Sequence, residues 1–257
     1  MGLLDDKVTI ITGAGRGIGA AAARLFAREG ALLVLAARTG AEVAALAAEL
    51  RADGGRAVAV AADLTTAEGA ERTVEVALET YGRLDAAFDN AGSGLRPAPL
   101  TERSEAEWDE THALNLRGGW LCLRAQLRAM AAGGRGGAVV LNTGVGALVG
   151  GFGDGAQQAA KHGLTGLVKA ATADHAAHGI RVNAVAPGIV RTPATEPYFA
   201  AGPAFDTLVA RSTPLARPGT AVEVAEAAAW LLSDRASYVA GVTLPVDGGI
   251  TATRRFD

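Results

Sequence analysis

The sequence predicts an α/β fold: a doubly wound, mostly seven-stranded parallel sheet with helices on both faces. Three observations predict it. Seven β-branched or leucine-rich runs of five to seven residues alternate with long alanine-rich stretches, the pattern of right-handed βαβ units. Apolar residues make up 49% of a 257-residue chain, enough to bury such a sheet on both sides. A glycine-rich string joins the first strand run to the first helical run, the point at which open α/β sheets bind ligands.

In chain order, Lys7–Thr12 and Ala31–Ala37 are strand runs on either side of a helix over Gly17–Glu29. A helical stretch at Ala41–Ala52 leads to the strand Arg56–Ala62, and another at Ala67–Tyr81 to the strand Leu84–Asp89. The longest helical stretch, Glu105–Ala132, turns through Gly133–Gly137 into the strand Gly137–Thr143. Gln157–His178 precedes the strand Ile180–Ala186, and Val222–Ser233 precedes the last strand, Val242–Val246. The long gap Pro187–Ala221 holds six prolines. Loops longer than about 12–15 residues are usually functional or disordered. Its place after a strand's carboxyl end makes this one a lid over a ligand crevice, at about residues 187–221. Nothing else reads as a linker, so one domain is expected over residues 1–257.

The net charge is −3 and the basic residues are scattered, which gives no electrostatic case for nucleic acid or an anionic membrane. The single cysteine, Cys122, excludes an internal disulfide framework and a cysteine-rich metal site. It is expected as a small buried residue on a helix, and no metal site is expected. No run approaches the roughly 18 apolar residues of a spanning helix. Asp5 and Asp6 interrupt the N-terminus before a secretory apolar stretch can form. A cytoplasmic protein is the expectation.

The string Thr12-Gly13-Ala14-Gly15-Arg16-Gly17-Ile18-Gly19 follows the first strand and opens a helix. Glycines there allow a tight turn and a close approach of backbone to phosphate, and the helix N-terminus offers free N–H groups. In this N-terminal position TGxxxGIG resembles the short-chain dehydrogenase/reductase family, and the likeness runs over nearly the whole chain. Asp63-Leu64 matches the adenine-holding position. Asp89-Asn90-Ala91-Gly92 resembles the family's NNAG with Asp for the first Asn, and Asn115-Leu116-Arg117-Gly118 the segment with its structural asparagine. Pro187-Gly188-Ile189-Val190-Arg191-Thr192 resembles the segment that contacts the nicotinamide. Val239-Ala240-Gly241 and Asp247-Gly248-Gly249 match the C-terminal region. The resemblance implies a Rossmann-type fold and a nicotinamide cofactor held by Gly13, Arg16, Gly17, Ile18, Gly19, Arg38, Asp63, Leu64, Asn90, Ala91, Gly92, Lys161, Pro187, Gly188, Ile189 and Thr192. An acid at the end of the second strand would accept from a ribose 2′-OH, whereas an arginine would pair with a 2′-phosphate. Here Ala37 stands at the acid's position and Arg38 follows, with Arg16 as a second positive contact. NADP(H) is therefore expected over NAD(H).

Members of this family usually carry Asn, Ser, Tyr and Lys at the reaction centre, with Tyr four residues before Lys. Lys161 fits the lysine and Asn115 the asparagine, but four residues before Lys161 stands Gln157, and thirteen before that Gly144. None of the three tyrosines, Tyr81, Tyr198 and Tyr238, is near this segment in sequence. A positioned general acid contributes about 10²–10⁴-fold. Gln157 cannot donate a proton, although its amide can donate a hydrogen bond to a developing oxyanion. Reduction of ordinary ketones by the family's usual route should be badly impaired. Asp154, seven residues before Lys161, is a candidate replacement acid or a cap on the helix near Gln157. His112 and His162 are further candidates, and packed or surface residues on the plainer reading.

The expected function is an atypical NADP(H)-dependent reductase acting on an apolar or aromatic ketone, quinone, enone or imine. The site expected to do it comprises Asn115, Gln157 and Lys161, with Asp154. Two alternatives stand beside it: a nucleotide-binding subunit partnering an active homologue, and a non-redox catalyst, such as a cyclase, dehydratase or isomerase, using the same pocket. The helices at Glu105–Ala132 and Gln157–His178 resemble the family's subunit interface, which implies a homo-oligomer, dimer or tetramer.

Overall fold

The computed structural model describes residues 2–94, 98–151 and 154–253. The buried runs form β1 (Val8–Thr12), β2 (Leu32–Ala37), β3 (Arg56–Ala61), β4 (Ala86–Asp89), β5 (Gly137–Asn142) and β6 (Ile180–Pro187). Between them lie α1 (Gly17–Arg28), α2 (Gly40–Ala52), α3 (Ala67–Tyr81), α4 (Glu105–His112), α5 (Gly119–Gly133) and α6 (Gly155–His175). Beyond β6 come a two-residue strand β7 (Val190–Arg191), α7 (Glu196–Ala200), α8 (Pro203–Ser212), a second short strand β8 (Gly219–Thr220), α9 (Ala221–Leu232) and β9 (Thr243–Val246). All seven expected strands enter one parallel sheet, in the order β3-β2-β1-β4-β5-β6-β9. The fold is the Rossmann-type α/β sheet.

Alternation along the strands divides the core. Ile11, Leu33, Leu35, Phe88 and Val140 face α1, α2 and α9, where Phe26 meets Phe88 at 6.1 Å between ring centroids. Ile10, Val34, Val60, Leu141 and Val182 face the other way, against Leu121, Met130, Leu164 and Val168 on α5 and α6. Both faces are covered, which is why the strands read as continuous apolar runs. Cys122 is buried on α5.

The sheet reverses its winding between β1 and β4, where Thr12 sits opposite Asp89. A crevice opens at the carboxyl ends of strands at such a reversal. The long central helical stretch is interrupted: between α4 and α5 the chain makes one π-helical turn over Ala113–Gly118, and this turn contains Asn115. The segment 187–221 also differs from a plain loop. Pro197 lies in the first turn of α7, and Pro203 opens α8, where proline is well tolerated. Phe205 ties the two helices, stacking on Tyr198 at 5.5 Å and meeting Phe199 edge-on at 4.8 Å. Among the described residues, no helix is long and apolar enough to cross a membrane.

Candidate active site and cofactor groove

The glycine-rich turn forms one wall of the crevice. A Cβ on Gly19 would run into the carbonyl of Gly13, so α1 can close on the turn only with glycine there. Gly13 and Gly17 both have positive φ, 62° and 57°. Arg16 is exposed at the N-cap of α1 but makes no side-chain cap, and the first turn carries no acid. The leading amides of α1, at Gly17 and the half-buried Ile18, therefore have no side-chain cap, the kind of helix end that can bind an anion. Thr192, after β7, approaches Gly17 from across the groove, its side chain 3.6 Å from where a Cβ would stand.

A connected set of hydrogen bonds builds the floor. The Ala91 amide donates to the Thr12 hydroxyl at 3.1 Å. Asn90 donates its amide to the carbonyls of Thr12 and Gly13, at 3.3 and 3.2 Å, and accepts from the Asn142 amide at 2.8 Å. Both ends of Asn90 are thus engaged within the protein. Lys161 donates to the Asn142 carbonyl at 2.8 Å. It is buried, and burial lowers its pKa to about 8. Gly92 lies against both the Asn115 oxygen and the Lys161 ammonium, which would stand 2.8 and 3.2 Å from a Cβ placed there. At the far wall, the Gly188 amide holds the Val246 carbonyl at 3.1 Å and the Ile189 carbonyl accepts from Gly219 at 2.8 Å. These bonds fix the turn that leaves Pro187 at the end of β6.

Gln157 stands one turn before Lys161 on α6, and its amide donates to the carbonyl of Ser93 at 3.0 Å. The same oxygen accepts from Asn115 at 3.0 Å, while the Asn115 oxygen receives the Ser93 amide at 3.2 Å. Asn115 also donates to the Thr111 carbonyl at 2.9 Å. The structure therefore brings Asn115, Gln157 and Lys161 together around the segment Gly92–Gly94. Gly144 follows β5 with φ 139° and ψ 160°, a conformation essentially confined to glycine.

Asp154 is fully buried and committed elsewhere. It caps α6, accepting from the Ala156 and Gln157 amides, and pairs with Arg103 at 2.8 Å. His112 stacks on Trp108, and His162 is exposed with its ring on the Gln158 carbonyl. At the other end of the groove, Ala37 ends β2 and Arg38 is exposed beside Asp63. Bonds from the Thr65 amide and hydroxyl, with a smaller contribution from Arg38, hold the Asp63 carboxyl below its usual range. Leu64 is buried behind it.

Sequence reasoning missed Ser93, Asn142 and Gln126. Asn142 had a visible signal, a polar residue at the end of an otherwise apolar strand run. Ser93 acts through its backbone, which leaves no mark in side-chain chemistry. Gln126 donates to the buried Asp89 carboxyl at 2.8 Å, a pairing made only by tertiary packing.

Residues 13–251 match the family model described as enoyl-(acyl carrier protein) reductase. The chain is 46% identical over 250 residues to the A-factor type γ-butyrolactone 1′-reductase (1S-forming) of Streptomyces virginiae, covering 97% of each chain. It is 41% identical over 251 residues to the cis-4-hydroxycyclohexanecarboxylate dehydrogenase of Sinomonas cyclohexanicum, covering 96% of this chain and 97% of that one. The crystal structure of levodione reductase superposes with a TM-score of 0.91 at 35% identity, over 98% of this chain and 100% of that one. The chain belongs to the short-chain dehydrogenase/reductase family. It is an oxidoreductase of a family that works with nicotinamide cofactors. The uncapped head of α1 and the buried ammonium of Lys161 at the groove suit an anionic, ribose-bearing ligand of that kind.

Proposed function

We propose that the chain is an NADP(H)-dependent reductase that transfers hydride to a small apolar or aromatic ketone, quinone, enone or imine without a Ser–Tyr acid pair. One observation carries the reading: Lys161 is buried at the groove with Gln157, not a phenol, one turn before it. The named relatives act on a γ-butyrolactone and a cyclohexanecarboxylate, which supports a ring-bearing substrate.

The bound cofactor supplies the hydride. Gly13, Gly17, Ile18 and Gly19 would hold its pyrophosphate at the head of α1. Arg38 and Arg16, both exposed at the outer end of the groove, would pair with a 2′-phosphate. Asp63 and Leu64 would bracket the adenine. Ala91, Gly92, Pro187, Gly188, Ile189 and Thr192 would enclose the nicotinamide end, with Asn90 tying their floor to the glycine-rich turn. Lys161 would hold the ribose hydroxyls. Asn115 fixes the Gly92–Gly94 segment, and Gln157 would turn its amide toward the acceptor. An acceptor that is already cationic, or that spreads its new charge, has least need of an acid from the protein. Exposed Trp120, beside Leu116 and Leu167, and exposed Trp108 on α4 support assembly into a homo-oligomer through the α4–α5 and α6 face.

Fluorescence titration with NADPH, followed by absorbance assays on ketone, imine, quinone and enone panels, tests the proposal. Turnover concentrated on imines, quinones or enones is expected. Binding without any turnover would favour a nucleotide-binding subunit of an active homologue. Product formation without NADPH oxidation would favour a non-redox catalyst. No binding of NADPH would overturn the proposal outright.

A further inference from the structure

Asp89 is an acid where the family motif has asparagine, and the reaction just described makes no use of it. It ends β4 with its side chain buried between Thr12 on β1, Leu141 on β5 and α5. One carboxyl oxygen accepts from Gln126 at 2.8 Å, and Thr12 stands opposite on β1, its hydroxyl close to the carboxyl. The other oxygen, Oδ2, is buried with no partner. Beside it is a largely enclosed cavity lined by Thr12, Asp89, Ala91, Asn115 and Cys122. The space open to a water's centre is about 10 Å³, close to the minimum for one water.

We propose that Asp89 is a positioning residue for the floor of the cofactor groove, acting as the neutral acid through the Thr12 hydroxyl on the Ala91 amide. An ionised carboxylate here would leave a charged oxygen buried without a donor, which is costly. The neutral acid turns that oxygen into a donor, for which the Thr12 hydroxyl or a cavity water is the acceptor. Thr12 in turn receives the Ala91 amide, and the next residue, Gly92, touches Lys161 and Asn115. Burial pushes the carboxyl up to about 7, so its charge changes in the neutral range.

The surroundings offer little to offset that charge. Thr12, Leu141 and Gln126 are uncharged, and Cys122 on α5 is the titratable group facing Asp89 among the described residues. Burial first, and Asp89 second, keep the Cys122 thiol neutral. Lys161 lies beyond the floor, with its ammonium on the Asn142 carbonyl. An anionic dinucleotide closing the groove would remove solvent and add negative charge above Asp89. Both effects favour the neutral acid. Cofactor binding is then coupled to proton uptake, and affinity falls as pH rises through the carboxyl's range.

The binding arm rests on the cofactor reading above; two other arms do not. NADPH affinity of the full chain is measured between about pH 6 and pH 8 for wild type and Asp89→Asn. Wild type is expected to weaken roughly fivefold or more over this span, while Asp89→Asn stays nearly level. Parallel slopes would overturn the proposal. Without cofactor, ¹³C spectra of aspartate-labelled chain should show a carboxyl titrating near pH 7 that is missing in Asp89→Asn. A carboxyl already ionised at pH 6 would overturn it. Exchange of the Ala91 amide should accelerate above neutral pH more in wild type than in Asp89→Asn, and equal acceleration would overturn the link through Thr12. Should NADPH bind neither protein, the cofactor reading fails, and the carboxyl and amide signals still decide the role of Asp89.

Discussion

Gln157 donates its side-chain amide to the Ser93 carbonyl at 3.0 Å, from the helix position one turn before Lys161. A group that would face the substrate thus rests on the loop opposite. Releasing it exchanges one hydrogen bond for another, at a net cost of about 1 kcal/mol.

Gln157→Tyr places a phenol on the same helix face as Lys161. Its expected effect is a gain of about 10–100-fold in initial rates of NADPH-dependent reduction of simple ketones. Adding Gly144→Ser is expected to lower stability by about 1–3 kcal/mol in urea unfolding, because Gly144 holds φ 139°. Unchanged ketone rates in Gln157→Tyr would show that the pocket is not built around a reacting carbonyl.

Arg38 is exposed at the end of β2, where a 2′-phosphate would lie. Arg38→Ala should weaken NADPH by about 10–100-fold, the worth of a charge-assisted contact of roughly 1.5–3 kcal/mol. NADH binding should change little. Calorimetric titration with both cofactors checks this, and equal losses would remove Arg38 from the discrimination.

The Arg103–Asp154 pair joins the start of α4 to the start of α6, with side chains 3% and 0% exposed. Arg103→Met leaves a buried carboxylate without its partner and should cost about 3–5 kcal/mol in urea unfolding. Replacing both, as Arg103→Met with Asp154→Leu, should cost less than the sum of the single changes. Additive losses would show that the two side chains act independently.

Two buried groups set opposite slopes of stability with pH. Burial raises Asp89 to about 7, so the folded chain holds a proton that the unfolded chain releases near pH 4. This contribution is full below about pH 4 and is lost as pH rises to about 7, up to about 4 kcal/mol. Burial lowers Lys161 to about 8, so between about pH 8 and 10.5 the unfolded chain holds the extra proton. Stability from this group rises over that window by up to about 3 kcal/mol. Denaturant midpoints across pH should show the first slope missing in Asp89→Asn and the second missing in Lys161→Met. A wild-type curve that matches its variant in either window removes that group as the source.

The sheet was legible because strands buried on both faces leave apolar runs that need no partner to be recognised; Ala31–Ala37 is one such run. The turn at Gly13–Gly19 was legible because backbone crowding demands glycine at fixed spacing. Lys161 and Gln157 are legible from their spacing of four along one helix. What escaped depends on contacts between distant segments. The Asp89–Gln126 pair spans 37 residues and the Gln157–Ser93 contact spans 64. Helices α7 and α8 escaped because six prolines read as a loop, although Pro203 in fact starts α8.

The π-helical turn at Ala113–Gly118 accommodates one more residue than regular winding would. It acts as a phase shifter: everything C-terminal to it is rotated relative to α4 by about 100°, the angular step of one residue. Excising a single residue from the turn would restore the regular pitch, and Asn115 and the apolar stripe of α5 could no longer both keep their bearings. Length within this stretch is therefore as constrained as residue identity, although no motif records it.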